Sequence, residues 1–182
     1  MAANKDIQLG DKVFTPAITS GEIQKRIAQL AAEITDEYAG ACPVILGVMN
    51  GAYRFAADLT ALLDFECTVD FVKLSSYDGT KTQGEVQTQT GLRTDIRGKH
   101  VILVEDIVDT GTTISHLIPI LANLKPKTLK IASLLLKPDT YRGPHKTDFV
   151  GFQIPDDFVV GYGLDYNGLG RNLNSIYQLK SH

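Results

Sequence analysis

The chain has 182 residues, a formal net charge of −3 and 43% hydrophobic residues, which suits one globular domain with a full buried core. The acidic balance argues against a surface that coats nucleic acid, no apolar run approaches the ~20 residues that a bilayer crossing needs, and the polar N-terminus lacks a signal-peptide core. Cys42 and Cys67 have no metal-like spacing and make no disulfide framework, so the expectation is a reduced, cytoplasmic protein.

Thr19-Ser20-Gly21-Glu22 can serve as a capping box, and Ile23, Ile27, Leu30, Ile34 and Tyr38 then recur on one helical face until Gly40 stops it. That stripe is core packing. Pro43 to Met49 reads as a buried strand, Ala52 to Leu63 as a helix, and Cys67 to Leu74 as a strand with mixed faces. From Asp78 to Gly91 the chain is rich in Gly, Thr and Gln and offers few anchors, the composition of a mobile loop. A strand over Val101 to Val104 follows, then a helix through Leu124 in which Pro119 predicts a kink, then a strand over Thr128 to Leu136. The remainder, Asp148 to Leu179, holds short strands and turns that with the N-terminal segment form a small cap over the sheet's carboxyl edge. Strands alternating with helices predict an α/β fold, a twisted and mostly parallel sheet with helices on both faces. There is no internal repeat and no linker.

The richest stretch is Val101-Ile102-Leu103-Val104-Glu105-Asp106-Ile107-Val108-Asp109-Thr110-Gly111-Thr112-Thr113, running into the helical pattern of Ile114-Ser115-His116-Leu117. A loop between the carboxyl end of a strand and the amino end of a helix is where an α/β protein binds phosphate. Gly111 lets backbone approach a ligand, and the amides of Thr110 to Thr113 and the helix dipole favour an anion. The hydroxyls of Thr110, Thr112 and Thr113 add donors. The segment lacks the Gly-Lys-Ser/Thr ending of a triphosphate loop, so a monoester phosphate fits better. Glu105 and Asp106 can accept hydrogen bonds from a diol or hold Mg²⁺. A bare Glu-Asp pair reads as a solvated turn; with Asp109 and the Thr/Gly turn beside it, ligand binding is the better reading.

The wording Glu105-Asp106-Ile107-Val108-Asp109-Thr110-Gly111 closely resembles the phosphoribosyl-pyrophosphate signature of type I phosphoribosyltransferases, in the form used by the hypoxanthine-guanine branch. Val48-Met49-Asn50-Gly51-Ala52-Tyr53-Arg54-Phe55 is similar to that branch's pyrophosphate loop, Leu74-Ser75-Ser76-Tyr77 to the start of its mobile lid, and Leu135-Leu136-Lys137-Pro138 to the segment with its purine-binding lysine. Asp157 to Tyr166 and Arg171-Asn172-Leu173 continue the likeness, which spans about Ile7 to Leu179 in order. It implies the type I phosphoribosyltransferase fold as a single domain over 1–182, with a hood from about 1–18 and 148–182 that holds the purine and a lid over about 75–91.

The implied reaction is purine salvage, in which the ribose 5-phosphate of phosphoribosyl pyrophosphate passes to hypoxanthine, and to guanine, giving IMP or GMP and pyrophosphate with Mg²⁺. By resemblance Glu105, Asp106, Asp109, Thr110, Gly111, Thr112 and Thr113 bind the ribose phosphate, and Asp109 is the catalytic base or acid at a purine nitrogen. Lys137 donates to the purine 6-oxo group, Phe158 stacks on the base, and the backbone at Val159 and Asp165 meets its edge. Asn50, Gly51 and Arg171 take the pyrophosphate, Ser76 and Tyr77 belong to the lid, and Glu105, Asp106 and Asp165 face the metal. In isolation Lys137 reads as a snorkelling side chain, Phe158 as core, Asp109 as a turn former and Arg171 as a surface ion-pair partner.

The chain departs from the pattern at two places. Asn50 stands where some members carry lysine, before the glycine of an unusual cis peptide, so a cis bond at Asn50-Gly51 is an open expectation. Tyr141 stands four residues past Lys137, where a purine-side arginine is expected; either Arg142 shifts into place or Lys73 and Arg171 carry the load. The rival readings are a guanine- or xanthine-preferring enzyme and a nucleic-acid-binding regulator that keeps this fold. The second needs a basic face or an added winged helix, and neither is evident in the sequence. The resemblance also implies a homodimer or homotetramer.

Overall fold

The computed structural model describes residues 5–74, 88–90 and 92–180. Strand β1 (Ile7–Leu9), strand β2 (Lys12–Ile18) and helix α1 (Ser20–Tyr38) open the chain. Thr19 caps α1 as its sequence dictates: Thr19 Oγ1 accepts from the Glu22 amide at 3.3 Å, and a Glu22 carboxylate oxygen accepts from the Thr19 amide at 2.8 Å. Its apolar stripe, Ile23, Ile27, Leu30, Ile34 and Tyr38, is buried.

Strand β3 (Val44–Met49), helix α2 (Tyr53–Thr60), strand β4 (Thr68–Leu74), strand β5 (Thr88–Thr90), strand β6 (His100–Val108), helix α3 (Thr112–Asn123), strand β7 (Thr128–Leu136) and strand β8 (Phe149–Gln153) build a six-stranded sheet in the order β5-β4-β3-β6-β7-β8. All neighbours are parallel except the β4–β5 pair. The two-residue period of the strands sorts their side chains between layers. Ile45, Ile102 and Val104 join the cluster with α1 and α2, whereas Val44, Leu46, Val101 and Leu103 join the one with Leu117 and Leu121 of α3. Strand β9 (Val159–Val160) and strand β10 (Ile176–Leu179) form a second, antiparallel sheet with the N-terminal strands in the order β1-β2-β10-β9, cored by Phe14, Val160 and Tyr177.

Three expectations need correction. Phe149–Gln153 lies not in the small cap but at the edge of the main sheet, registered on β7 through Ala132↔Phe149 and Leu136↔Gln153. The strand expected over Val101 to Val104 continues through both carboxylates to Val108, because β7 carries its ladder on through Glu105↔Ser133 and Val108↔Leu136. Helix α2 ends at Thr60, short of the expected Leu63. Pro119 stands inside α3, which runs continuously from Thr112 to Asn123. Most of the expected lid, with Ser76 and Tyr77, lies outside the described residues. No helix among the described residues is long and apolar enough to cross a membrane.

Because the capping box satisfies donors that no helical carbonyl can reach, Thr19→Ala should cost about 1 kcal/mol. A melting temperature lower by roughly 2 to 4 °C checks this, and an unchanged value contradicts it.

Candidate active site

Strands β3 and β6 are adjacent, but β3 leads outward to β4 on one side and β6 to β7 on the other. Their carboxyl-end loops therefore diverge and leave a crevice, the place where open α/β sheets hold ligands. A pocket of about 260 Å³ occupies it, lined by Met49 and Gly51 from one loop and by Glu105 through Ile114 from the other.

Glu105 is only 3% exposed, and its Oε1 has no hydrogen-bond partner. Burial, with the charge of Asp106 beside it, pushes its pKa well above the usual carboxylate range. Asp106 is raised to about 6, chiefly by burial and further by Asp165, against the opposing pull of the Ile107 amide and of Arg171. Two glycines let backbone crowd this carboxylate. A Cβ on Gly51 would lie 1.6 Å from Asp106 Oδ2, and one on Gly163, whose φ is +106°, would lie 2.1 Å from the Gly51 carbonyl oxygen. The β3 loop is thus clamped between the tip of β6 and the C-terminal segment. The cis peptide of this loop joins Met49 to Asn50, one bond earlier than the Asn50-Gly51 expectation.

Downstream, Gly111 caps α3 with φ +85°, and Thr110 and Thr112 share a hydroxyl contact at 2.9 Å. The amino end of α3 thus opens beside the pocket. Tyr141 takes the place of the expected arginine; its ring packs so closely on Gly111 that a Cβ there would sit 2.2 Å away. Arg142 donates to the Tyr141 carbonyl and lines an outer hollow with Ser115 and His116.

At the end of β7 Lys137 is 6% exposed, and its Nζ donates to Asp109 Oδ2 at 2.8 Å and to Asp156 Oδ1 at 3.0 Å. Burial disfavours its charge, but these bonds outweigh burial and hold its pKa above the ordinary lysine value. Asp156 is the polar residue that sequence reasoning missed. Its signal was the acid pair Asp156-Asp157 just before Phe158, which reads as an ordinary exposed turn.

Phe158 is 47% exposed, with one side against Phe14 and Tyr166 at ring-centroid distances of 6.2 and 6.0 Å. Val159 beside it belongs to the outer strand of the small sheet, so its outward backbone edge pairs with no strand of that sheet. Asp165 pairs with Arg171 at 2.6 Å and accepts from the Gly168 amide, and Arg171 also donates to the Gly163 carbonyl at 2.6 Å. Asn50 is exposed on the β3 loop. Among the described residues, no three His, Cys, Asp or Glu side chains gather as a metal cage.

A profile of the phosphoribosyl transferase domain matches residues 18–167. The hypoxanthine-guanine phosphoribosyltransferase of Bacillus subtilis is 44% identical over 164 residues, 90% of this chain and 91% of that one. The chain belongs to the hypoxanthine-guanine phosphoribosyltransferase family. Among solved structures, a hypoxanthine-guanine phosphoribosyltransferase of Bacillus anthracis with HEPES in its active site superposes with a TM-score of 0.86 at 36% identity, covering 93% of this chain and 99% of that one. A hypoxanthine phosphoribosyltransferase of Staphylococcus aureus gives 0.85 at 40% identity, over 91% and 90% of the two chains. The match spans the main sheet and the crevice, so the pocket of this phosphoribosyltransferase sits on the family's own scaffold.

A carboxyl group with a raised folded pKa binds more protons in the folded chain than in the unfolded one above its ordinary pKa, so its stability contribution is lost as pH rises. Glu105→Gln removes that penalty. In chelator and without substrates, its melting temperature relative to the wild type should climb by roughly 3 °C or more between about pH 5 and pH 8. A pH-independent difference would show that Glu105 titrates normally.

Proposed function

We propose that the protein transfers the 5-phosphoribosyl group of phosphoribosyl pyrophosphate to hypoxanthine, and to guanine, releasing pyrophosphate and forming IMP or GMP. The observation that carries this is that Asp109, paired with Lys137 at 2.8 Å, lines a pocket whose other walls are a Thr/Gly turn at a helix N-terminus and the carboxyls of Glu105, buried, and Asp106, half-buried. The names and folds of the relatives agree with it.

In this reading the amides and hydroxyls of Thr110, Gly111, Thr112 and Thr113 take the 5-phosphate, and Glu105 and Asp106 accept from the two ribose hydroxyls. Positive charge develops on the ribose as its bond to pyrophosphate breaks, and the two carboxylates beneath it answer that charge. Lys137 donates to the 6-oxo group, while Asp109 accepts the proton that the purine loses as its ring nitrogen bonds to the ribose carbon. The exposed face of Phe158 stacks on the base, and the open edge at Val159, with the backbone at Asp165, reads its rim. Arg171, with Asn50 and Gly51, holds the pyrophosphate.

The residues present also fit Mg²⁺. The orphaned Oε1 of Glu105 beside Asp106, with Asp165 nearby, suits a cation that keeps several waters and takes its other ligands from substrate oxygens. When bound, Mg²⁺ neutralises the departing pyrophosphate and helps to orient the ribose. The proposal extends to a hood formed by the small sheet, to a cytoplasmic location, which rests on the composition, and to a homodimer or homotetramer, which rests on the resemblance alone.

The test is steady-state formation of IMP from hypoxanthine, phosphoribosyl pyrophosphate and Mg²⁺. Turnover should vanish in excess chelator and be slower with adenine, whose 6-amino group leaves the Lys137 ammonium without an acceptor. Faster turnover of adenine than of hypoxanthine contradicts the proposal. Asp109→Asn keeps the volume but removes the base, so kcat should fall by ~10²-fold or more with the KM for phosphoribosyl pyrophosphate little changed. Lys137→Gln should instead act mainly on purine KM and on 6-oxo selectivity. A near-normal kcat in Asp109→Asn with chemistry rate-limiting removes Asp109 from the role.

A further inference from the structure

Lys137 is held by two carboxylates, Asp109 from the loop after β6 and Asp156 from the turn before β9, and only the first has a part in the proposed proton transfer. Its side chain is 7% exposed, against 41% for Asp109 and 67% for Asp156. Asp156 is the more wetted partner, yet its turn is tied to the same strand end as the lysine. The Ile154 amide donates to the Leu136 carbonyl at 2.9 Å, and the Asp157 amide to the Pro155 carbonyl at 2.8 Å. Two residues on, Leu179 anchors the Phe158 carbonyl at 2.8 Å. The turn is thus fixed at both ends, and from it the Asp156 carboxylate reaches the buried ammonium.

From this geometry we infer that Asp156 is a positioning residue, holding the Lys137 ammonium at the purine 6-oxo group while Asp109 receives the purine proton. The inference rests on the reading of the pocket as a purine site. Its physical basis is charge. A buried ammonium needs an anion, and the step that protonates Asp109 removes one. Asp156 keeps its charge through that step, so the ammonium faces a carboxylate before and after transfer. An ammonium has three donor hydrogens; the two carboxylates take two and the third is available to the 6-oxo group. Without Asp156, protonating Asp109 would strand Lys137, which weakens Asp109 as a base and makes Lys137 easier to deprotonate. The charged groups facing Lys137 among the described residues are Asp109, from the loop after β6, and Asp156, from the turn before β9.

Asp156→Asn and Asp156→Glu, measured with hypoxanthine and phosphoribosyl pyrophosphate from about pH 6 to 11.5, test this. In Asp156→Asn, kcat/KM for hypoxanthine should fall about five- to tenfold near pH 7, with the KM for phosphoribosyl pyrophosphate within about twofold of wild type. The alkaline limb of its pH profile should move to lower pH than in the wild type, and Asp156→Glu should restore both the limb and most of the rate. Since the Asp156 side chain is largely exposed, the melting temperature should stay near that of the wild type. An unmoved alkaline limb in Asp156→Asn overturns the inference and leaves the proposed activity standing. A wild-type protein that forms no IMP overturns the reading beneath it, and the inference falls with it.

Discussion

A carboxylate taken out of water must be answered by hydrogen bonds or by positive charge, and no protein group answers Glu105 at Oε1. The surroundings of the crevice follow from that debt. The strand that carries Glu105 is interior to the sheet and the residue is 3% exposed at the floor of the crevice, and Asp106 beside it adds a like charge. Gly51 backbone crowds the second carboxylate, and Gly163 in turn packs on the Gly51 carbonyl. Arg171 is near enough to pull on Asp106, but its hydrogen bonds go to Asp165 and to the Gly163 carbonyl. The site is therefore electrostatically unfinished without a ligand that brings hydroxyls, a cation or both. Binding and stability are opposed here, as they commonly are at sites built for function.

The same logic, with the sign reversed, governs Lys137. A buried ammonium is answered twice over, by Asp109 and Asp156, and remains charged. Two unlike groups thus stand at the end of the sheet, a pair of crowded carboxyls on β6 and an ammonium fixed between two carboxylates, and in the proposed reading the first faces the ribose and the second the base. A 6-oxopurine joined to a ribose phosphate supplies an acceptor to the second and a diol to the first, which is why its chemistry suits the pocket better than that of an adenine nucleotide.

Much of this was legible in the sequence, for identifiable reasons. The capping box and stripe of α1 and the run of β7 follow from local periodicity, and the structure reproduces them residue for residue. The carboxylates of Glu105 and Asp106 looked like the end of a strand because charged residues usually leave the sheet. They stay in it because β7 continues the ladder beside them. Phe149–Gln153 was assigned to the wrong layer, since a five-residue strand carries no mark of which sheet edge will take it. Lys137, Phe158 and Arg171 were singled out only through resemblance; by themselves they read as common surface and core residues. Asp156 escaped notice because its partner lies 19 residues away, and nothing local distinguishes an exposed turn aspartate from a counter-ion. The packing of Tyr141 on Gly111 is equally non-local in origin.

The most direct test of the two-charge account is a crystal structure of the protein with IMP bound. The account predicts the phosphate on the amides of Thr110 to Thr113, the ribose hydroxyls at Glu105 and Asp106, and the 6-oxo oxygen within hydrogen-bond distance of Lys137 Nζ. A base that binds away from Lys137, or a phosphate seated outside the Thr110 to Thr113 turn, would contradict it.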